Sequence, residues 1–172
     1  RHMQHQIRRW NARHIEELQA AWLNGSGIMV WENVFGSPNP WHPEDRALLR
    51  RAAPIARRFA RHFSEGTWRP LIQPTHPSVE ASEWERNGVR LWTLANLAPE
   101  PLGEPLLAVE PRGDRFFDLW SGRELAPEME DDRALLAPGI DRLGAILAVP
   151  PQRVTGDLLR FVRERSASAD GE

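Results

Sequence analysis

Apolar positions open the chain at helical spacing. Met3, Ile7, Trp10, His14, Leu18 and Trp22 step by three or four, and Ile15 and Ala21 widen the stripe. This predicts one helix from Met3 to Trp22, ended by Leu23 to Gly27 with Gly25 as its C-cap. Ile28 to Trp31 then reads as a strand buried on both faces, the pattern of a parallel sheet covered by helices. A second helix starts at His42-Pro43-Glu44-Asp45, because proline suits the first helical position and acids favour the positive helix end. Leu48, Ala52, Ile55, Ala56, Phe59 and Phe63 form its buried stripe, and Pro54 within it predicts a kink.

After Gly66 the period changes from helical to alternating. Two alternating runs, Val79 to Trp84 and Val89 to Ala95, flank Asn87-Gly88, the favoured two-residue hairpin turn. Further strands are expected at Leu106–Glu110, Arg115–Trp120 and Leu143–Pro150, with Gly-containing turns between them. That spacing predicts an antiparallel sandwich of roughly six strands. A short helix from Gly156 to Arg165 and a disordered polar tail complete the reading. The expected organisation is 1–66 as an α/β segment, 67–150 as a β-sandwich and 151–172 as helix and tail.

The 172 residues suit one compact domain or parts of two, and 41% hydrophobic with 27% charged residues fits a soluble globular protein. A net charge of -2 argues against a nucleic-acid or anionic-membrane partner. Cysteine is absent, which excludes disulfides and thiolate chemistry. All 22 basic residues are arginine, spread along the chain, and this reads mainly as codon bias, with an Arg cluster for phosphate as the lesser alternative. A soluble, bacterial, cytoplasmic setting is slightly favoured. No apolar run is long enough for a membrane span. The eight tryptophans are the compositional feature with chemical content. Trp packs in cores, but its flat face also stacks on sugar C–H groups while its N–H stays available.

The segments GIMVWENVFGSPNPW (Gly27 to Trp41), RNGVRLWTLANL (Arg86 to Leu97) and RFFDLWSGREL (Arg115 to Leu125) resemble the closing barrel segment and C-terminal sandwich of bacterial glycoside-hydrolase-like proteins. The resemblance covers most of residues 7–149. It implies a fold class of α+β as present: a helix-strand-helix remnant of a (β/α)8 barrel followed by an antiparallel β-sandwich. Some relatives carry a further domain resembling formylglycine-generating enzymes, and nothing in this chain encodes one. A (β/α)8 barrel takes about 250 residues, so the resemblance implies that the N-terminal barrel portion lies outside this chain. Its one strand is then expected to be the eighth, without parallel neighbours in the chain. A carbohydrate partner is implied, with no cofactor.

Glu32 follows the expected strand, at the rim where barrel enzymes keep functional groups. Glycoside hydrolysis uses two carboxylates, and the commonest retaining arrangement resembling this fold places them after the fourth and seventh strands. An eighth-strand Glu32 departs from that pattern. Three roles remain open for it: accepting hydrogen bonds from sugar hydroxyls, which is preferred; catalytic carboxylate; or a cap for the loop backbone. Trp31 floors the sugar site or packs in the core. Asn33 orients Glu32, binds a hydroxyl or ends the strand. Trp41 packs under the loop or touches ligand.

The other candidates carry less. His14 on an apolar stripe reads as a satisfied core histidine, and the histidines have no metal-ligand spacing. Glu128 to Asp132 is acidic but lacks the punctuation of a calcium loop, so a solvated turn is expected and no metal site is assigned. Trp84, Trp92 and Trp120 are expected to pack rather than bind. The competing reading of the whole chain is a non-catalytic β-sandwich module, for sugar binding or docking, with a helical extension.

Overall fold

The computed structural model describes residues 4–7, 13–30 and 42–169. The chain begins with strand β1 (Gln4–Ile7), helix α1 (Ile15–Leu23), strand β2 (Gly27–Val30), and helices α2 (Pro43–Arg58) and α3 (Ala60–Glu65). The β part follows as β3 (Thr67–Ile72), β4 (Val79–Arg86), β5 (Val89–Asn96), β6 (Leu107–Val109), β7 (Arg115–Asp118), β8 (Arg123–Leu125), β9 (Glu128–Glu130), β10 (Arg133–Leu136) and β11 (Leu143–Val149). A 3-10 turn at Pro151–Arg153 leads into α4 (Gly156–Ala169).

The expected helix from Met3 to Trp22 is corrected here. Residues 4–7 are a strand, and the helix starts only at Ile15. β1 pairs with β2 in parallel, Gln4 opposite Gly27 through Ile7 opposite Val30. Four residues of strand pairing override a spacing that fits a helix equally well, because short apolar patterns do not distinguish the two. The consequence matters for function: β2 has a parallel neighbour in this chain, contrary to expectation. β1–α1–β2–α2 is thus two consecutive strand-helix units, not one.

Six strands form one antiparallel sheet in the order β3-β4-β5-β11-β7-β8, and β6-β10-β9 form a second. The expected antiparallel sandwich is present. The strands that the sequence pattern did not reveal lie at the edges or in the smaller sheet: β3, which contains Pro70, and β8, β9 and β10. Asn87 and Gly88 both have positive φ, 52° and 74°, as their two-residue turn requires. Asp131 and Asp132, at 45° and 61°, turn β9 into β10 in the same way, so the acidic stretch Glu128 to Asp132 is a hairpin tip on the surface. Ser166 to Ala169, expected to be tail, continue α4.

The large sheet is buried on both faces. Leu91, Ala95, Leu143, Ala145, Leu147 and Val149 face the helices, where they join Leu18, Trp22, Leu48, Ile55, Leu158 and Val162 in one core. Trp92, Leu94, Ile146 and Ala148 point the other way and join Leu107, Val109, Ala134 and Leu136 of the small sheet. Alternation along β5 and β11 thus feeds two cores from one sheet. Two polar ties fix α1 to the sheet. The Trp22 indole N–H donates to the Gly144 carbonyl at 2.8 Å, and the Gln19 amide donates to the Asn96 carbonyl at 2.7 Å.

The three sandwich tryptophans all pack inside, at 1%, 0% and 5% exposure for Trp84, Trp92 and Trp120. Trp84 and Trp92 lie on opposite faces of the hairpin, because Trp84 pairs with Leu91 and Trp92 with Glu83. Trp84 stacks on Trp68, centroids 6.0 Å apart. The Trp92 indole N–H donates to the buried Glu83 carboxylate at 2.8 Å.

α2 runs through Pro54 to Arg58 and passes into α3 at Phe59. On α3, burial next to the Arg86 charge lowers the His62 pKa to about 4. An ordinary histidine titrates near 6.5. Between these values the unfolded chain takes a proton that the folded chain refuses, so stability falls as pH drops from about 6.5 towards 4. The expected loss is roughly 2–3 kcal/mol for this group. Urea unfolding of wild type and His62→Gln at pH 7 and pH 4.5 checks it: the substitution should flatten the pH dependence.

Candidate functional site

The carboxyl ends of β1 and β2 point to the same edge of the fold as the N-terminal ends of α1 and α2, and a polar cluster ties those helix ends together. The His14 backbone N–H donates to Asp45 Oδ2 at 3.0 Å. The His14 ring nitrogen Nδ1 meets Glu17 Oε2 at 2.5 Å. His14 is therefore buried and satisfied, as a core histidine should be. Glu44 bridges Arg13 and Arg142 at 3.6 and 3.8 Å. The His42 ring accepts the Glu44 backbone N–H at 3.4 Å and caps α2. These contacts clamp the point where chain re-enters the helix after leaving β2.

Asp45 is the member of this cluster that the sequence did not single out. It reads as one more acid in a first helical turn, yet it is fully buried. Burial pushes its carboxyl up, opposed by the His14 N–H. Its Oδ1 has no hydrogen-bond partner among the described residues. Nothing local in the sequence distinguishes Asp45 from Glu44; the distinction comes from packing of α1 against α2.

Trp31, Glu32, Asn33 and Trp41, the predicted site residues, lie outside the described residues. Their attachment points do not. Trp31 directly follows Val30, the last residue of β2, and Trp41 directly precedes the cap residue His42. Glu32 thus stands two residues beyond the carboxyl end of a parallel strand. The stretch after β1 reads Arg8-Arg9-Trp10-Asn11-Ala12-Arg13, without a carboxylate.

An apolar cavity of about 210 Å³ lies between β2 and the two helices, lined by Leu18, Trp22, Ile28, Leu48, Ala52 and Leu143 among others. It offers almost no groups to pair with sugar hydroxyls, so it belongs to the packing of the α/β unit rather than to ligand chemistry. Among the described residues no group of three His, Cys, Asp or Glu is arranged to hold a metal ion. No helix among them is long and apolar enough to cross a membrane.

No protein-family model matches the sequence, and no curated protein matches it significantly. Solved structures do match the fold. An alpha-amylase from Geobacillus thermoleovorans, crystallised with acarbose, superposes with a TM-score of 0.57 at 11% identity, over 87% of this chain and 38% of that one. An Anoxybacillus alpha-amylase matches at 0.52 and 10% identity, over 90% of this chain and 38% of its own. A variant of AmyP in complex with maltotriose matches at 0.50 and 10% identity, over 80% of this chain and 35% of its own. The fold therefore resembles part of these alpha-amylase structures: mixed helix and antiparallel sheet, with no closed barrel among the described residues. The chain spans little more than a third of the length of these enzymes.

Proposed function

We propose that this chain is the end of a glycoside-hydrolase-like catalytic α/β domain (residues 1–66) joined to its β-sandwich (67–150) and closing helix (151–172). It acts on carbohydrate together with an N-terminal barrel portion of the same protein. The observation that carries this reading is the parallel β1–α1–β2–α2 unit. Two parallel strands do not make a stable sheet by themselves, and a barrel supplies the neighbours that such strands need. In a barrel these would be the seventh and eighth strands. The amylase-type fold of the neighbours, two of them crystallised with acarbose or maltotriose, supports an α-glucan-like ligand.

In this reading Trp31 stacks on a sugar ring and Glu32 accepts hydrogen bonds from its hydroxyls. Asn33 orients Glu32, and Trp41 closes the far side of the loop. The absence of an acid after β1 supports a departure from the commonest retaining pair. The partner acids for catalysis would then come from strands upstream. The alternative, a self-contained sandwich module with a helical extension, would have β2 join the sandwich edge or the two helices pack as a complete unit. β2 instead pairs with β1.

The 172-residue chain is accordingly expected to release no nitrophenol from a panel of nitrophenyl glycosides, because one rim carboxylate cannot serve both steps of hydrolysis. Turnover by the purified chain above a Glu32→Gln control would overturn the division of labour proposed here.

A further inference from the structure

We infer that Arg51 and Arg165 form a binding site for a tetrahedral oxyanion, phosphate or sulfate, between α2 and α4. The inference is independent of the carbohydrate reading. Arg165 is only 5% exposed. Its Nη2 donates to the Arg51 carbonyl at 3.0 Å. The Arg51 Nη2 in turn donates to the Trp120 carbonyl at 2.7 Å, and its guanidinium lies 5.2 Å over the Trp120 ring. The Nε–H groups of both arginines are buried without a hydrogen-bond partner among the described residues.

What these two groups lack is a counter-charge. The other buried arginine of the fold, Arg90, meets Asp114 at 2.7 Å, with both side chains only 2% exposed. Arg51 and Arg165 donate to main-chain carbonyl oxygens, and among the described residues neither has an ion pair. Carbonyls orient a guanidinium but do not neutralise it. A buried guanidinium near a second positive charge is unfavourable, and the Arg165 pKa is lowered by burial and by the half-buried Arg51 accordingly. An anion shared between them removes that cost. The two forks belong to side chains of different helices. A tetrahedral anion presents oxygens to both, whereas a carboxylate holds its two oxygens in one plane and suits a single fork.

Thermal unfolding of the 172-residue chain tests this, with phosphate or sulfate titrated against NaCl at constant ionic strength. At ten times the dissociation constant, the expected saturable rise in Tm is about 3–6 °C. Acetate should give a smaller rise, and Arg163→Gln, on the exposed face of the same helix, should keep the full effect. Arg165→Gln and Arg51→Gln should each abolish it. Arg51→Gln carries the test if Arg165→Gln fails to fold, because Arg165 bonds to the main-chain carbonyl of residue 51, which that substitution retains. The proposal is overturned by an equal rise in NaCl or acetate, or by a phosphate-dependent rise that survives in Arg51→Gln.

Discussion

Replacing Gly122 with alanine is expected to cost roughly 2–5 kcal/mol of stability and to lift α4 off the sheet. Gly122 has φ of +73°, where an L side chain carries strain of about 1–2 kcal/mol. It also has no room. A Cβ there would stand 2.1 Å from the Ser166 nitrogen, 2.6 Å from the Val162 oxygen and 2.8 Å from the Arg165 carbonyl carbon. All three are backbone atoms of one helix, so no rotamer change relieves the overlap, and helix or turn must move. Movement of α4 withdraws Leu158 and Val162 from the helix-side core and parts Phe161 from Phe59, now 6.1 Å apart. Gly113 is the natural control. Its φ of +72° is nearly the same, but a Cβ there meets nothing within 4 Å. Gly113→Ala should therefore lose only the conformational part. Urea midpoints of the two variants measure the difference, and hydrogen exchange across residues 156–169 locates it. Equal losses would show that the turn does not brace α4.

The turn around Gly122 also shows what the sequence makes legible. Asp118 accepts the Trp120 and Ser121 backbone N–H groups at 2.8 and 3.1 Å and shapes the turn between β7 and β8. The Asp-Leu-Trp-Ser-Gly wording announces that turn locally, as Asn87-Gly88 announces its hairpin. β4 and β5 are legible for the same reason: their two apolar-rich runs flank that Asn-Gly turn directly. β3 and β8 are not, because edge strands are held by one neighbour and need no alternation of their own. β1 was misread because Ile7, Trp10 and His14 keep helical spacing by coincidence, while the information that makes residues 4–7 a strand resides in Gly27–Val30. Asp45 and the Arg51–Arg165 pair were invisible for a related reason. Each is remarkable only for what another helix places beside it.

For the candidate site, the sequence supplied the residue types and the structure supplies the frame. The frame is a parallel strand ending at Val30, a helix re-entered at a capped His42, and a clamp of His14, Glu17, Glu44 and Asp45 beside them. In the proposed reading Trp31 to Asn33, which directly follow β2 in the sequence, belong to the rim where a barrel presents its ligand contacts.

Titration of the isotope-labelled chain with maltotriose, followed by NMR, tests that claim most directly. One wall of a site binds weakly, so a dissociation constant on the order of millimolar is expected. The shifts should centre on the Trp31 indole and the amides of Glu32 and Asn33. Trp31→Ala should weaken binding at least about tenfold through the lost stacking face, and Glu32→Gln should weaken it less. Absence of shifts at residues 31–33 under saturating sugar, or binding that Trp31→Ala leaves unchanged, would contradict the account.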